Sequence, residues 1–588
     1  MRLRTITTAA LGGLAFSLLS APPAWAATLQ VTTASDTVDA NIGDGVCADA
    51  NGECSLRAAV QEANATRGAD TIRLVAGGNY TLSIAGAGED AAATGDLDVT
   101  SGITIEGRGA TVNAAELDRA FDVLSGRLAV NNLTVVRGAP PETESGGAFR
   151  STATLVITNS EINGNTVFGS GASGGAVVNT GGTLSISDSS LRGNSATRAG
   201  GAIEADAGTT TLDGVSLTNN VTGPTPGNGG GLHLTGAGDV TVTDSSVTGN
   251  AASEEGGGLW NSSTGTFSVT GSTVSGNIAR GPAADQGGGG LFNDGGVLTV
   301  TNSVIRDNSA DGASGSGGGI LNNLGTLEVS ASGITGNSAA RAGGGIEANV
   351  GSTSLVKVNL SSNKTGEAPG NGGGLHLTGA GYVSVQSSRV VGNTATAEGG
   401  GLWNSASGTM DVRLSSVGNN TASGNDADQG GGGLYNDGGV LTVTNSVIRD
   451  NSADGTSGSG GGILNNLGTL EVTRTLISGN DASRAGGGIE ANVGTTTTSD
   501  VILANNTTGP NPGNGGGLHL TGAGTVTIDG GWINGNAAAN EGGGLWNSAT
   551  GTMTVTNAAI FGNTAPDGPN VYNDGGDFTV DGDPVPVG

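Results

Sequence analysis

The chain has 588 residues, of which 114 are glycine, only 3% are aromatic and 12% are charged. Its net charge of −29 at pH 7 disfavours nucleic acid and anionic membranes as partners, because both carry negative charge. A chain so rich in glycine is expected to be disordered, collagen-like or regularly repetitive, and its periodicity must decide between these classes.

The first 26 residues have the pattern of a secretory signal peptide. Arg2 and Arg4 precede the apolar run AALGGLAFSLL, and Ala24-Trp25-Ala26 has the small-x-small form of a cleavage site. The apolar run is too short to span a bilayer. We therefore expect residues 1–26 to be a cleaved, bacterial Sec-type signal peptide, a secreted or cell-surface location, and no transmembrane span in the mature chain.

Because the chain is expected to be exported, its two cysteines are expected to form a disulfide. Cys47 and Cys54 are separated by six residues in CADANGEC, so the bond would close a small loop. A two-cysteine metal site is the alternative, but no histidine lies near them in the sequence. The acidic loop Asp36–Glu53 is considered for calcium, but its spacing matches no known calcium loop, so we expect a solvated loop and no cofactor.

The segment CSLRAAVQEANATRG is predicted to form a short capping helix. Ser55 is the expected N-cap, since serine accepts a hydrogen bond from the first turn of a helix. Apolar residues then recur at helical spacing, at Leu56, Ala59, Val60 and Ala63. Residues 27–70 would form an N-terminal cap, which a solenoid needs in order to hide its apolar interior.

The rest of the chain is repetitive at two periods. A GG-G/A-aliphatic signature recurs about every 28 residues, and from Ile203 its spacings are 29, 27, 32, 29 and 26, after which the same five follow. They add up to a super-repeat of 143 residues, with copies at 198–340, 341–483 and, cut short, 484–564. Runs such as VLTVTNSVI alternate apolar and polar residues, which predicts strands.

One asparagine per unit follows the alternating run at a fixed place, for example Asn393, Asn420 and Asn451. This pattern predicts a turn in which asparagine tolerates left-handed backbone angles and hydrogen-bonds to the asparagines above and below. Strands and turns at this period predict an all-β parallel β-helix of about 17 coils over residues 71–564. Residues 565–588 are expected to form a C-terminal cap or tail.

Two stretches resemble known families. Cys54-Ser55-Leu56-Arg57-Ala58-Ala59-Val60 and Asn64 match the CSLREA-type segment of secreted bacterial right-handed parallel β-helix proteins, with Ala58 in place of the usual glutamate. The glycine repeats over roughly 146–576 look like those of chlamydial polymorphic outer-membrane proteins. The resemblance implies a right-handed, pectin-lyase-like β-helix that is exported or held at the cell surface, and no particular activity.

The residue after each inward aliphatic is predicted to face solvent, because neighbouring side chains of a strand point to opposite sides. In successive units these positions form a column that repeats three times and includes every histidine of the chain. The candidate binding residues are Glu204, His233, Trp260, Phe292, Glu347, His376, Trp403, Tyr435, Glu490, His519, Trp546 and Tyr572. We expect this column to carry neither the aspartate cluster nor the calcium-binding acids of polysaccharide-active β-helix enzymes.

Four interpretations of the column remain open. The rings could pack only on each other, or they could stack on sugars of an extracellular polysaccharide or of a host or neighbouring cell surface. Glu204 could ionise His233 in a polysaccharide lyase or hydrolase. Ranks of threonine could bind ice, although charged residues interrupt them at Glu328, Asp411, Arg413 and Glu471. We favour a structural or adhesion protein over an enzyme, because a duplicated coil is commoner than a triplicated active site.

Overall fold

The computed structural model describes residues 26–367 and 369–588. The predicted signal peptide therefore lies outside the described residues, apart from Ala26. Among the described residues, no helix is both long and apolar enough to cross a membrane.

The chain winds into a parallel β-helix of about 18 turns, one more than predicted, and is consistent with the right-handed winding that the resemblance implies. A typical turn contains four short strands, such as Leu375–Thr378, Tyr382–Gln386, Arg389–Val391 and Thr394–Ala395. The first three strands of a typical turn belong to one sheet of 51 strands, and the fourth, which is present in 13 turns, belongs to a separate sheet of 13 strands.

The first strand of each turn carries the column of candidate residues. In two turns it runs on into the second strand without a break. The first strands are Leu97–Val99, Phe121–Val123, Phe149–Ser151, Val177–Ser187, Ile203–Asp213, Leu232–Leu234, Leu259–Asn261, Leu291–Asp294, Ile320–Asn323, Ile346–Asn349, Leu375–Thr378, Leu402–Asn404, Leu434–Asp437, Ile463–Asn466, Ile489–Asn492, Leu518–Thr521, Leu545–Asn547 and Val571–Asn573.

Parallel pairing extends beyond the coil limits expected from the sequence at both ends. Thr28–Gln30 pairs with Ala69–Arg73, so the first turn includes residues of the predicted cap. At the other end, Asp577–Val580 still pairs parallel to the preceding turn. The chain then reverses, and Asp583–Pro584 pairs antiparallel with that last strand, which covers part of an otherwise open edge.

The predicted stacking of the inward aliphatics is confirmed. Leu232 is paired with Leu259, and Leu259 with Leu291, at constant register in successive turns. All three are buried in one apolar core that runs from Leu29 to Phe578. The alternation of apolar and polar residues therefore places one file of aliphatics inside the coil, as the period-2 pattern requires.

The predicted asparagine ladder is also confirmed, in the tight turn between the third and fourth strands. Asn393 donates from its backbone N–H and from Nδ2 to Asn420 Oδ1, each at 2.9 Å. Asn420 Nδ2 in turn donates to Asn451 Oδ1 at 2.9 Å and to the Val390 carbonyl at 3.0 Å. The same bonds recur along the rod from Asn165 to Asn563. Each asparagine thus satisfies buried polar groups of both neighbouring turns.

The expectation that these asparagines adopt left-handed backbone angles is wrong. The left-handed residue is the one before each of them, such as Gly392 with φ of 65° or Asn419 with φ of 54°. The ladder asparagines Asn393 and Asn420 are fully buried. Their side chains face into the turn, and the reversal of the chain is taken up by the preceding, exposed residue.

The glycines of the signature allow the backbone before each first strand to lie in close contact with a side chain and with the next turn. Gly372 has φ of +63°, and a Cβ there would lie 2.5 Å from His376 Cβ. The neighbouring Gly373 could not carry a Cβ either, because it would lie 2.5 Å from the Gly400 carbonyl oxygen of the next turn. Glycine therefore lets the loop lie on the side chain after each inward aliphatic and lets successive loops stack on each other.

The N-terminal cap forms as predicted, and its helix spans Leu56–Ala65. Ser55 Oγ accepts the Ala58 N–H at 2.9 Å, and the four predicted apolar positions are buried. The disulfide between Cys47 and Cys54 is present, with Cα atoms 5.1 Å apart. The helix packs on strands Ala69–Arg73, Leu97–Val99 and Gly102–Asn113, over the end of the coil.

Most of the acidic loop is exposed to solvent, as we expected, but two of its carboxylates are buried. Asp39 and Asp49 are buried, and their carboxylates accept backbone N–H groups of the loop itself. Asp39 Oδ1 accepts from Asn41 at 2.8 Å, and Asp49 Oδ1 accepts from Asn51 at 2.8 Å and from Glu53 at 3.0 Å. These oxygens close turns of the loop, which is a structural use of the carboxylates.

We expect Asn420→Ala to lower the free energy of unfolding by about 2–5 kcal/mol, because it leaves two buried donors of Asn393 without an acceptor. The neighbouring Asn419→Gly is the matched control and should be nearly neutral, since it keeps a left-handed residue in the exposed position. Urea unfolding followed by circular dichroism, with hydrogen exchange of residues 390–422, measures the difference. Equal stability of the two variants would show that the ladder is not a main source of stability.

Candidate functional site

Register places all twelve predicted residues on one continuous column of the first strands. Glu204 is paired with His233, His233 with Trp260, and Trp260 with Phe292. The second and third copies have the same pairing, from Glu347 to Tyr435 and from Glu490 to Tyr572. Leu321 and Leu464 link one copy to the next. The predicted order of the column is therefore confirmed.

The expectation that the column faces solvent is wrong. His376 is 3% exposed, Trp403 8% and Tyr435 2%, and only the last member, Tyr572, is partly open. The side chains point away from the core, as predicted, but the glycine loop before each first strand folds back over them. They form separate apolar clusters outside the coil, such as Trp403 with Tyr435 and Leu464.

Each histidine is held by a buried glutamate of the preceding turn. His376 Nδ1 lies 3.0 Å from Glu347 Oε2, and the Thr378 hydroxyl donates to Glu347 Oε1 at 2.6 Å. The Arg341 guanidinium approaches the same oxygen at 3.7 Å. In the third copy, burial acts to raise the pKa of Glu490, but the charge and hydrogen bond of His519 outweigh it and hold that pKa below its ordinary value. The surroundings of Glu490 therefore favour its ionised carboxylate.

The aromatic rings continue the column as a stack. The rings of His376 and Trp403 are 4.2 Å apart at 21°, and those of Trp403 and Tyr435 are 6.0 Å apart at 6°. Trp403 Nε1 donates to Glu398 Oε2 at 2.9 Å, and Asn371 Nδ2 donates to the same oxygen at 3.1 Å. Burial raises the pKa of Glu398 to about 7, against the opposing effect of the indole donor. Glu398 belongs to the covering loop, so this bond fastens the loop to the stack.

The column also continues toward the N-terminus, before the predicted residues. There it contains two aspartates and one arginine in successive turns. Asp98 is paired with Asp122, and Asp122 with Arg150, before Val178 leads to Glu204. These aspartates lie in the turns before Glu204, outside the residues for which the column was predicted. Before Phe121 only Ala120 remains of the glycine signature, and before Leu97 there is no such signature, so neither Asp122 nor Asp98 was predicted from the sequence.

Four buried aspartates meet in this acidic part of the column. Asp96 and Asp118 join Asp98 and Asp122, and Arg119 Nη1 lies 2.9 Å from Asp96 Oδ2 and 3.6 Å from Asp122 Oδ2. Burial raises the pKa of both Asp96 and Asp98 to about 7. Asp96, Asp98 and Asp122 form the one group of the described residues that has the spacing of metal ligands.

Comparison with known proteins adds nothing to these observations. The chain matches no family model, no curated protein and no solved structure. The resemblances to CSLREA-type proteins and to the chlamydial repeats therefore stay predictions.

We expect Trp403→Ala to lower the free energy of unfolding by about 3–5 kcal/mol, because it removes a buried ring and the bond that holds the covering loop. Trp532→Ala is the matched control, since Trp532 is 57% exposed and its loss should cost no more than about 0.5 kcal/mol. Urea unfolding followed by circular dichroism compares the two. A similar loss in both variants would contradict the packing role of the column.

The covering loops are expected to loosen as the pH rises. Burial raises the pKa of Glu255 and of Glu398 from 4.5 to about 7, so the folded protein holds these two protons more tightly than the unfolded chain. Their contribution to stability is present in full below pH 4.5 and is lost as the pH rises through 7. As the pH rises between these values, the melting temperature of the unmodified protein should fall more steeply than that of the Glu255→Gln/Glu398→Gln variant. Parallel curves would contradict this assignment.

Proposed function

We propose that the protein is an exported, rod-shaped structural or adhesion protein of a bacterial cell surface. The observation that carries the proposal is that duplication has copied the buried histidine–glutamate contact almost without change. The histidine–glutamate distance is 3.0 Å at His233, 3.0 Å at His376 and 2.9 Å at His519. Copies that differ so little lengthen and stiffen a rod, and their buried side chains are not displayed to a partner.

Three further properties support an extracellular location. The first 26 residues have the signal-peptide pattern, and the disulfide between Cys47 and Cys54 suits an oxidising compartment. The large negative charge favours solubility of a long rod outside the cell. A parallel β-helix also exposes its length to neighbours, which suits attachment and spacing at a surface.

If the rod contacts polysaccharides, the exposed aromatic residues are better placed to do so than the covered column. Trp532 and Phe561 are 57% and 52% exposed. They lie on paired strands of adjacent turns, since Trp532 is opposite Ala559 and Asn534 is opposite Phe561. Two open rings one turn apart suit stacking on the apolar faces of sugars. We therefore transfer the glycan-contact hypothesis from the column to Trp532 and Phe561.

The enzyme and ice-binding alternatives have less support. The carboxylates of Glu204, Glu347 and Glu490 are buried, so a polysaccharide chain cannot reach the Glu–His pairs in this conformation. Charged side chains do interrupt the threonine ranks, because Glu328, Arg413 and Glu471 are exposed. A flat, uncharged face for ice would need these positions to be small and uncharged.

The proposal predicts that the rod can be shortened without loss of its fold. Deletion of residues 341–483 joins Ala340 to Arg484 in a nearly identical context and removes five turns, or about 24 Å of length. We expect the shortened protein to reach the cell surface with an unchanged circular dichroism spectrum. Cells that lack the protein should adhere less to their substratum, and the full-length chain should restore adhesion better than the shortened one.

Three results would contradict the proposal. They are retention of the protein inside the cell, unchanged adhesion of cells that lack it, and release of new chain ends when it is incubated with pectin or alginate. The Trp532→Ala/Phe561→Ala variant separates glycan contact from the role of the rod. It should lose binding to cell-wall polysaccharide and keep its export and length, with Trp532→Phe as the matched control that retains a ring.

A further inference from the structure

The acidic end of the column contains buried oxygen atoms that the protein itself leaves unpaired. Asp98 Oδ1, Asp122 Oδ1 and Asp118 Oδ2 have no hydrogen-bond partner among the described residues. Asp98 is fully buried, and Asp122 and Asp118 are 1% and 2% exposed. A buried carboxylate oxygen without a donor is costly, so this arrangement calls for a cation or a proton.

The arginines nearby do not satisfy these atoms. Arg119 and Arg150 both contact Asp122 Oδ2, and Arg119 also binds Asp96 Oδ2. Asp98 Oδ2 is occupied by the Ala92 N–H at 2.7 Å. Glu144 contacts both guanidinium groups as well, so five carboxylates share two arginines. The cluster keeps an excess of negative charge with Asp98 Oδ1 and Asp122 Oδ1 free.

The spacing of the carboxylates suits a particular class of cation. One oxygen from each of Asp96, Asp98 and Asp122 lies within 4.8 Å of the others. Calcium accepts six to eight oxygen ligands at about 2.3–2.6 Å in a flexible geometry, whereas magnesium demands near-ideal octahedral geometry at about 2.0–2.1 Å. Three carboxylates on a pair of adjacent turns also form a hard, oxygen-only ligand set, which favours calcium over zinc or copper.

We propose that Asp96, Asp98 and Asp122 bind a calcium ion that fastens the first coils to the N-terminal cap. The strand Leu97–Val99, which carries Asp98, is already held by the cap helix. The Asp96 carbonyl accepts from Arg57 at 3.0 Å, and the Asp98 carbonyl accepts from Asn64 at 2.7 Å. Arg57 is itself fully buried and paired with Asp36. The ion would therefore link the cap helix, strand Leu97–Val99 and strand Phe121–Val123.

Calorimetric titration of the chelator-treated mature chain, residues 27–588, with calcium chloride tests the proposal. We expect one saturable site with a Kd at or below about 1 mM and weaker binding of magnesium. Asp98→Asn and Asp122→Asn should each weaken calcium binding at least about tenfold. Asp307→Asn is the matched control, because it removes an exposed acid that lies outside the cluster, and it should bind as the unmodified chain does.

Hydrogen exchange of the unmodified chain gives a test that does not depend on folding of the variants. Calcium should slow exchange in residues 86–125 and leave residues 400–588 unchanged. Absence of saturable binding would overturn the proposal. So would protection spread over the acidic surface, or binding that persists at full strength in Asp98→Asn and Asp122→Asn.

Discussion

The constraint on which the structure depends is parallel hydrogen bonding at constant register between successive turns. Each strand is paired with the equivalent strand of the next turn, so a side chain lies about 4.8 Å from its counterpart above and below. Any residue type that recurs once per turn becomes a continuous file. Aliphatic residues form the core in this way, and asparagines satisfy the buried turn.

The same constraint explains the composition of the covered column. A charged side chain on this column has a neighbour one turn away on each side, so it must find a complementary group there. Glu347 meets His376, and His376 meets the face of Trp403. At the N-terminal end, Asp122 meets Arg150 on one side and Asp98 on the other. At this pair of aspartates the arginines of the protein do not neutralise all of the carboxylates, and it is where we place calcium.

The coils, the cap helix, the disulfide and the asparagine ladder could be predicted because each depends on spacing in the sequence. Burial of the column could not, since alternation shows which side of a strand Trp403 faces but not whether a loop covers that side. The column is covered because the loop that contains Gly372 lies directly against His376. Asp96 and Asp98 were missed because their strand is positioned partly by Arg57 and Asn64. These residues lie at least 34 positions away in the sequence, and a local pattern does not show such contacts. A second asparagine ladder, from Asn404 through Asn436 to Asn465, escaped notice although its period is the same.

The distance between spin labels at Glu328→Cys and Glu471→Cys tests constant register most directly. Both positions are exposed, they are five turns apart on paired strands, and the two native cysteines are in the disulfide. Double electron–electron resonance should give one narrow distribution of label-to-label distances centred near 24 Å, which is about five times the spacing of adjacent strands. A broad distribution, or a mean beyond about 35 Å, would contradict the stacking on which every other conclusion rests.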